Sequence, residues 1–282
     1  AVKSTLPEGV TLVAVTKMHP AELITEAYEA GQRVFGESRP QELKAKYEIL
    51  PKDIRWHMIG HLQTNKVKYI VPFVSLIESV DSAHLLEAID KEAAKCGRTA
   101  DCLFEIHVAA EETKTGWNYD ELREYVAGGA LASLRHVRMR GVMGIATNTD
   151  DESVIRHDFE RLAQYRAELA AFFGEEFDTL SMGMSDDYPI AIECGSTMVR
   201  VGSLIWGRRD HGPRWGCWKN KKPAFQKETR LFCCIADGQR TRSRLPMLRV
   251  LFRLMPLSWH MRVTVVWYFT AMPLRVSPLR TT

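Results

Sequence analysis

Short apolar runs alternate along the chain with longer stretches in which apolar residues recur at helical spacing. "TLVAVT" (11–16) precedes an amphipathic stretch from Ala21 to Ala30. "RVFG" (33–36) precedes Gln41 to Leu50, and "RWHMIG" (55–60) precedes Thr64 to Val71. "SLIESV" (75–80) leads into "DSAHLLEAIDKEAAKCG", where Asp81 or Ser82 can cap a helix. "CLFEIHV" (102–108) precedes a helical pattern over Tyr119 to Ala127. "VRMRGVMG" (137–144) precedes a long one over Glu152 to Phe173, opened by Asp150 and Asp151. "DTLSMG" (178–183) is followed by a short helix around Tyr188 to Ile192, and "TMVRVG" (197–202) closes the series.

Eight runs of four to eight residues, the first seven each followed by a helical period, read as eight strand–helix units. Regular alternation of this kind implies a parallel sheet. Eight repeats in about 200 residues predict a (β/α)8 TIM barrel of the smaller size. An open doubly wound sheet is the alternative, weakened by the lack of G-x-G-x-x-G after the first run. In a barrel the strand C-termini form the functional mouth. Lys17, His57, Met143, Ser185, Arg200 and Gly202 all fall at or near such ends.

Charge divides the chain. Residues 1 to 210 hold 24 Lys+Arg against 33 Asp+Glu, a net of −9. Residues 211 to 282 hold 14 against 2, a net of +12, and the composition predicts a basic tail that is poorly ordered or out of frame. The apolar run "VTVVWYFTAMPL" (263–274) is too short for a membrane span and is flanked by Arg262 and Arg275. Six cysteines form no CxxC pair, and the N-terminus has no signal-peptide pattern; both lead to the expectation of a cytoplasmic setting without a membrane partner.

Lys17 ends the first apolar run. A lysine in an apolar mouth loses hydration when charged, so its pKa falls and a neutral amine becomes available for imine chemistry. A solvated strand-end lysine is the ordinary alternative. "SMGMSDD" (181–187) and "CGSTMVRVGS" (194–203) place Gly and Ser where backbone N–H groups can converge on a phosphate, at the loops after strands seven and eight. With a strand-one lysine they suggest a phosphorylated aldehyde as ligand. Strand alternation aims Arg200 opposite to Val199 and Val201, into the mouth, and its structural alternative is an ion pair with Glu193 or Asp186. In "HMIGH", His57 and His61 are four apart, but Gly60 and the strand before it oppose a helical metal pair. Glu111 and Glu112 read as a solvated loop, with Lys114 as a second lysine to weigh against Lys17.

The blocks "LVAVTKMHP", "VFGESRPQE", "WHMIGHLQTNK", "ETKTGW", "RGVMGIAT", "SMGMSDD" and "GSTMVRVGSLIWGRRD" occur in this order over residues 8 to 210. Together they resemble the pyridoxal phosphate homeostasis proteins, single-domain relatives of the alanine racemase barrel. The resemblance implies pyridoxal 5′-phosphate (PLP) as cofactor, held as an internal aldimine on Lys17. It implies that Arg200 faces the ring nitrogen and that Ser185, Gly202 and Ser203 hold the phosphate, with Ser196 and Thr197. His57, Asn65 and Met143 would line the ring.

Three features depart from that family's pattern. "GES" stands where "GEN" is expected, so Ser38 replaces an amide. Only ten residues precede Thr11, fewer than the helix expected there. Residues 211 to 282 continue past the expected end at Gly207 to Asp210.

Two function classes follow. The first is a binding protein that holds and delivers PLP, with PLP-dependent apoenzymes as recipients, little or no catalysis, and a monomeric state. The second is a PLP-dependent amino-acid racemase, which needs proton donors on both cofactor faces; residues 1 to 210 encode no second domain to supply one. A nucleic-acid partner rests on the basic tail alone, and the −9 of residues 1 to 210 opposes it.

Overall fold

Each apolar run becomes a strand because it is buried on both faces, by the barrel interior on one side and by helices on the other. In the computed structural model, which describes residues 2–207, the strands are β1 (Thr11–Val15), β2 (Val34–Glu37), β3 (Arg55–Met58), β4 (Leu76–Val80), β5 (Ala100–Glu105), β6 (Val137–Met143), β7 (Thr179–Ser181) and β8 (Met198–Val201). All pair in parallel and in sequence order, and β8 pairs back with β1 to close the barrel. The expectations for residues 211–282 and for the end motif beyond Gly207 lie outside the described residues.

The helices are α1 (Ala21–Glu29), α2 (Pro40–Ile49), α3 (Ala83–Lys95), α4 (Tyr119–Ala127), α5 (Glu152–Phe173), α6 (Tyr188–Glu193) and α7 (Ser203–Trp206). Ser82, rather than Asp81, caps α3 by accepting from the Leu85 N–H. Asp151 caps α5 by accepting from the Ser153 N–H at 2.9 Å. Pro40 opens α2, where its missing N–H is not needed. The segment expected to be a helix over Thr64 to Val71 is instead a 3-10 helix, Thr64–Tyr69. Polar residues fill most of that turn, and only Val67 is buried within it, so packing does not reward a longer α-helix.

Alternation along the strands separates two layers. Outward residues such as Ala14, Phe35, Trp56, Ile77, Phe104, Val142 and Leu180 join the helices in the main core. Inward residues Val13, Val34, Leu76, Leu103, Met143 and Met198 form a second cluster, an apolar plug inside the barrel. The plug is tight: a Cβ on Gly36 would lie 2.8 Å from Val13 Cγ1. At Gly141 (φ +152°) a Cβ would lie 1.8 Å from the Thr179 carbonyl oxygen, so only glycine lets β6 approach β7 here. No helix among the described residues is long and apolar enough to cross a membrane.

Candidate functional site

β1 carries Lys17 to the mouth by simple alternation. Val13 and Val15 point inward, so two residues beyond the strand end Lys17 does the same, while Thr16 points outward toward α2. The peptides on both sides of Lys17 are anchored. Thr16 Oγ1 donates to Glu37 Oε1 at 2.7 Å, and the Thr16 carbonyl accepts from Lys46 Nζ at 2.7 Å. Lys46, buried on α2, also donates to Glu37 Oε1 at 2.5 Å and to Glu42 Oε1 at 2.7 Å. Glu42 Oε1 in turn accepts from the Met18 N–H at 2.7 Å. Met18 adopts the left-handed conformation, φ +64°, the single described non-glycine residue to do so. That geometry costs about 1–2 kcal/mol in an L-residue, and a charge-assisted hydrogen bond of about 1.5–3 kcal/mol is large enough to offset it. Burial pushes the Glu37 carboxyl up, against the opposing pull of Lys46 and Thr16.

Lys17 opens into a cavity of about 240 Å³ at the strand ends. Val15, Ile59 and Ile145 give it apolar walls. Ser185, Gly202 and Ser203 line it from the loops after β7 and β8, and Arg200 lines it from β8 itself. Ser38, His19 and Asp186 complete its polar lining. The Gly202 N–H donates to Ser185 Oγ at 3.3 Å, which draws the two loops together. A larger cleft, about 460 Å³, lies outside the barrel against α1, where outward-facing Leu12 and Ala14 meet Leu23 and Ala27. It gathers fewer convergent polar groups, so chemistry and not size marks the mouth.

Inside the barrel a chain of polar groups supports Arg200. Arg200 Nη1 donates to the Ser181 carbonyl at 2.9 Å and to Ser181 Oγ at 2.7 Å, and Nη2 donates to the Gly144 carbonyl at 2.9 Å. Ser181 Oγ donates to Glu78 Oε2 at 2.6 Å, and Glu78 Oε1 lies 2.7 Å from His57 Nδ1. Arg200 Nη1 and Glu78 Oε2 are 4.0 Å apart, so the serine hydroxyl bridges a buried ion pair. Burial pushes the Glu78 carboxyl up, but His57, Arg200 and Ser181 outweigh it and hold it below the usual carboxylate range. Burial pulls the Arg200 guanidinium down, opposed first by Glu78.

The residues expected at the site therefore divide into two groups. Lys17, Ser185, Arg200, Gly202 and Ser203 share the cavity. The other five are not among its lining residues. His57 is bound to Glu78 in the interior, and Met143 is fully buried in the apolar plug. Ser196 Oγ is occupied by backbone carbonyls, Met182 at 2.8 Å and Met198 at 2.9 Å. Thr197 Oγ1 accepts from the Leu180 N–H at 2.8 Å, pinning β7 to the turn before β8. Asn65 is exposed on the 3-10 turn. Arg200 pairs with neither of its suggested partners: Glu193 binds Arg156 at 2.6 Å. Lys114 reaches the Ala146 carbonyl at 2.7 Å and Glu111 at 3.1 Å, and lines a separate cavity of about 170 Å³ with Glu105. His61 Nδ1 lies 2.9 Å from Asp81 Oδ2, so the two histidines of "HMIGH" each meet a different carboxylate.

Sequence reasoning missed Glu37, Lys46, Glu78, Glu105 and Ser181. The signal was present for three of them. Glu37, Glu78 and Glu105 are charged residues within or ending apolar strand runs, as Arg200 is, and each is buried.

Comparison with known proteins gives one consistent set. The profile of the family described as "Alanine racemase, N-terminal domain" matches residues 1–210. The pyridoxal phosphate homeostasis protein of Aquifex aeolicus is 41% identical over 204 residues, covering 71% of this chain and 87% of that protein. PipY of Synechococcus elongatus, solved with PLP bound, is similar with a TM-score of 0.67 at 38% identity, over 73% of this chain and 96% of that one. Its structure without PLP gives a TM-score of 0.69. An alanine racemase of Clostridium difficile, at 15% identity and a TM-score of 0.60, shares the fold over 74% of this chain and 54% of that one.

Proposed function

The chain belongs to the pyridoxal phosphate homeostasis proteins, within the alanine racemase N-terminal domain family, and on that premise we propose that it binds PLP at the strand-end cavity through the Lys17 amine. The observation that carries this is the convergence of Lys17, Arg200, Ser185, Gly202 and Ser203 on one cavity. The donor set fits the cofactor. A primary amine suits its aldehyde, two hydroxyls and a backbone N–H suit its phosphate, a guanidinium suits its ring nitrogen, and Val15, Ile59 and Ile145 suit the ring faces. When bound, the cofactor supplies an aldehyde that condenses reversibly with a primary amine and releases water.

This chain's residues then have separate tasks. Val15, Ile59 and Ile145 line the cavity beside Lys17 and offer apolar surface to the ring. Ser185 and Ser203 offer hydroxyl donors, and Gly202 an N–H that already points toward Ser185. Arg200 is held rigidly by Ser181 and Gly144, so its charge keeps one orientation. A guanidinium does not give up a proton near neutral pH. Facing the ring nitrogen, it would leave that nitrogen unprotonated and the ring a poorer electron sink.

The function is thus PLP homeostasis: holding the aldehyde, limiting its free concentration and releasing it to PLP-dependent apoenzymes. A monomer in the cytoplasm suits this role, and the three described cysteines, Cys96, Cys102 and Cys194, are free thiols. The negative charge of residues 1 to 210 argues against a nucleic-acid partner.

Borohydride reduction after incubation with PLP, followed by peptide mass mapping, tests the reading. A pyridoxyl group on Lys17 is expected, with none at that position in Lys17→Arg. An adduct on Lys66 or Lys114 in place of Lys17 would sink the assignment. L-to-D alanine conversion is expected at background, and turnover lost in Lys17→Ala would make the protein a racemase.

A further inference from the structure

We propose that Lys46 is a positioning residue for Lys17, acting together with Glu42 through the peptides on either side of it. The inference rests on Lys17 as the attachment point. Lys46 itself is poorly placed to compete for an aldehyde. It is 6% exposed, and its three N–H bonds have three acceptors: the Thr16 carbonyl, Glu37 Oε1 and Glu42 Oε1.

What those acceptors have in common is the β1–α1 connection. The Thr16 carbonyl belongs to the peptide that enters Lys17. Glu42 takes the Met18 N–H, which belongs to the peptide that leaves Lys17. Thr16 Oγ1 is tied to Glu37 as well. A single buried ammonium therefore organises contacts to both flanking peptides, and Lys17 lies between two anchored points. The left-handed Met18, 65% exposed, is where the chain would relax once the anchor is lost.

Stability alone is a weak reason for such a group. Burying an ammonium with two carboxylates gains little over apolar packing, and its best-attested use is to fix geometry. Here the geometry fixed is that of the amine. Attachment forms one C=N bond between Lys17 Nζ and the aldehyde carbon, while the carbonyl oxygen leaves with the two amine protons as water. The amine must meet that carbon at a defined position relative to Ser185, Ser203 and Arg200. A displacement of about 1 Å in such a constellation can slow a reaction ~100-fold.

The test uses the full chain and PLP. Lys46→Met, Glu42→Gln and Leu122→Ala are compared with wild type by stopped-flow absorbance of imine formation, by borohydride trapping and by thermal unfolding without PLP. Leu122 is buried on α4, apart from the Lys17 cavity, and controls for lost stability. Lys46→Met is expected to form the imine ~10- to 100-fold more slowly, and Lys46→Arg to recover part of the rate. Glu42→Gln, which keeps an acceptor for Met18, should show a smaller slowing of the same kind. Leu122→Ala should keep the wild-type rate. Unchanged rates in Lys46→Met and Glu42→Gln, with wild type trapped on Lys17, overturn the inference alone. Equal slowing in Leu122→Ala overturns it too, by reducing it to general stability. If Lys46→Met does not fold, Glu42→Gln decides: slowing supports the role and a wild-type rate refutes it. Wild type trapped elsewhere than Lys17 overturns the site assignment and this inference with it.

Discussion

Glu78→Gln removes one charge from the barrel interior and leaves the side chain's shape in place. In the wild type, Glu78 Oε2 and Arg200 Nη1 are 4.0 Å apart, both buried, with Ser181 Oγ between them. At an effective dielectric constant of about 20, two unit charges at that distance attract by ~4 kcal/mol. Stranding one partner of a buried pair costs about 3–5 kcal/mol, which agrees. The His57 hydrogen bond can survive in the amide, but the Ser181 hydroxyl loses an anionic acceptor. A loss of about 4 kcal/mol in a domain of this size corresponds to a fall in Tm of about 8–16 °C. Urea denaturation of Glu78→Gln, Arg200→Met and the double variant separates the pair from its surroundings. Because either single change strands a charge, the double variant should be more stable than the sum of the two losses by about 2–3 kcal/mol. Additive losses, or a Glu78→Gln loss below about 1 kcal/mol, would mean that the serine and the backbone carbonyls hold Arg200 without the carboxylate.

Two further outcomes follow from the same geometry. Burial pushes the Glu105 carboxyl up, and Thr115 only partly opposes it, leaving Oε2 buried without a hydrogen-bond partner. Stability from the protonated form is then full below the ordinary glutamate value and is lost as pH rises through the raised folded value. Glu105→Gln should therefore gain on wild type in urea midpoint as pH rises from about 4 to 8, and a difference independent of pH would refute the reasoning. Ser203→Ala should weaken PLP about tenfold, the value of one good hydrogen bond, and leave binding of pyridoxal, which lacks the phosphate, unchanged in equilibrium titration. Equal weakening of both ligands would place Ser203 away from the phosphate.

Much of the fold is written in local pattern. The apolar runs and the helical periods between them mark all eight strands, and α5 follows the boundaries its periodicity and acidic start suggest. These signals are legible because burial on both faces demands apolar strands and because caps are formed by residues next in sequence. The stretch from Thr64 to Val71 reads as helical, and its apolar spacing alone does not distinguish an α-helix from the 3-10 turn Thr64–Tyr69 that forms there. Lys17 and Arg200 were legible at the mouth by alternation, and the same alternation could have marked Glu37, Glu78 and Glu105 as polar positions in buried strands.

What alternation cannot supply is the partner. Glu78 and Ser181 are 103 residues apart, and Lys46 meets the Thr16 carbonyl across 30. Both contacts exist because the strands close in register, Val13 beside Arg200 and Gly36 beside His57. That closure decided that Met143 fills the plug, that His57 serves Glu78, and that Lys17, Ser185, Gly202 and Ser203 open into one cavity. Periodicity, capping and turn chemistry act over a few residues, so the sequence by itself determined the elements and the amine at the end of the first. Register between distant strands is settled only when the whole barrel packs, and so the tertiary structure decided which charges are paired and which open into the cavity.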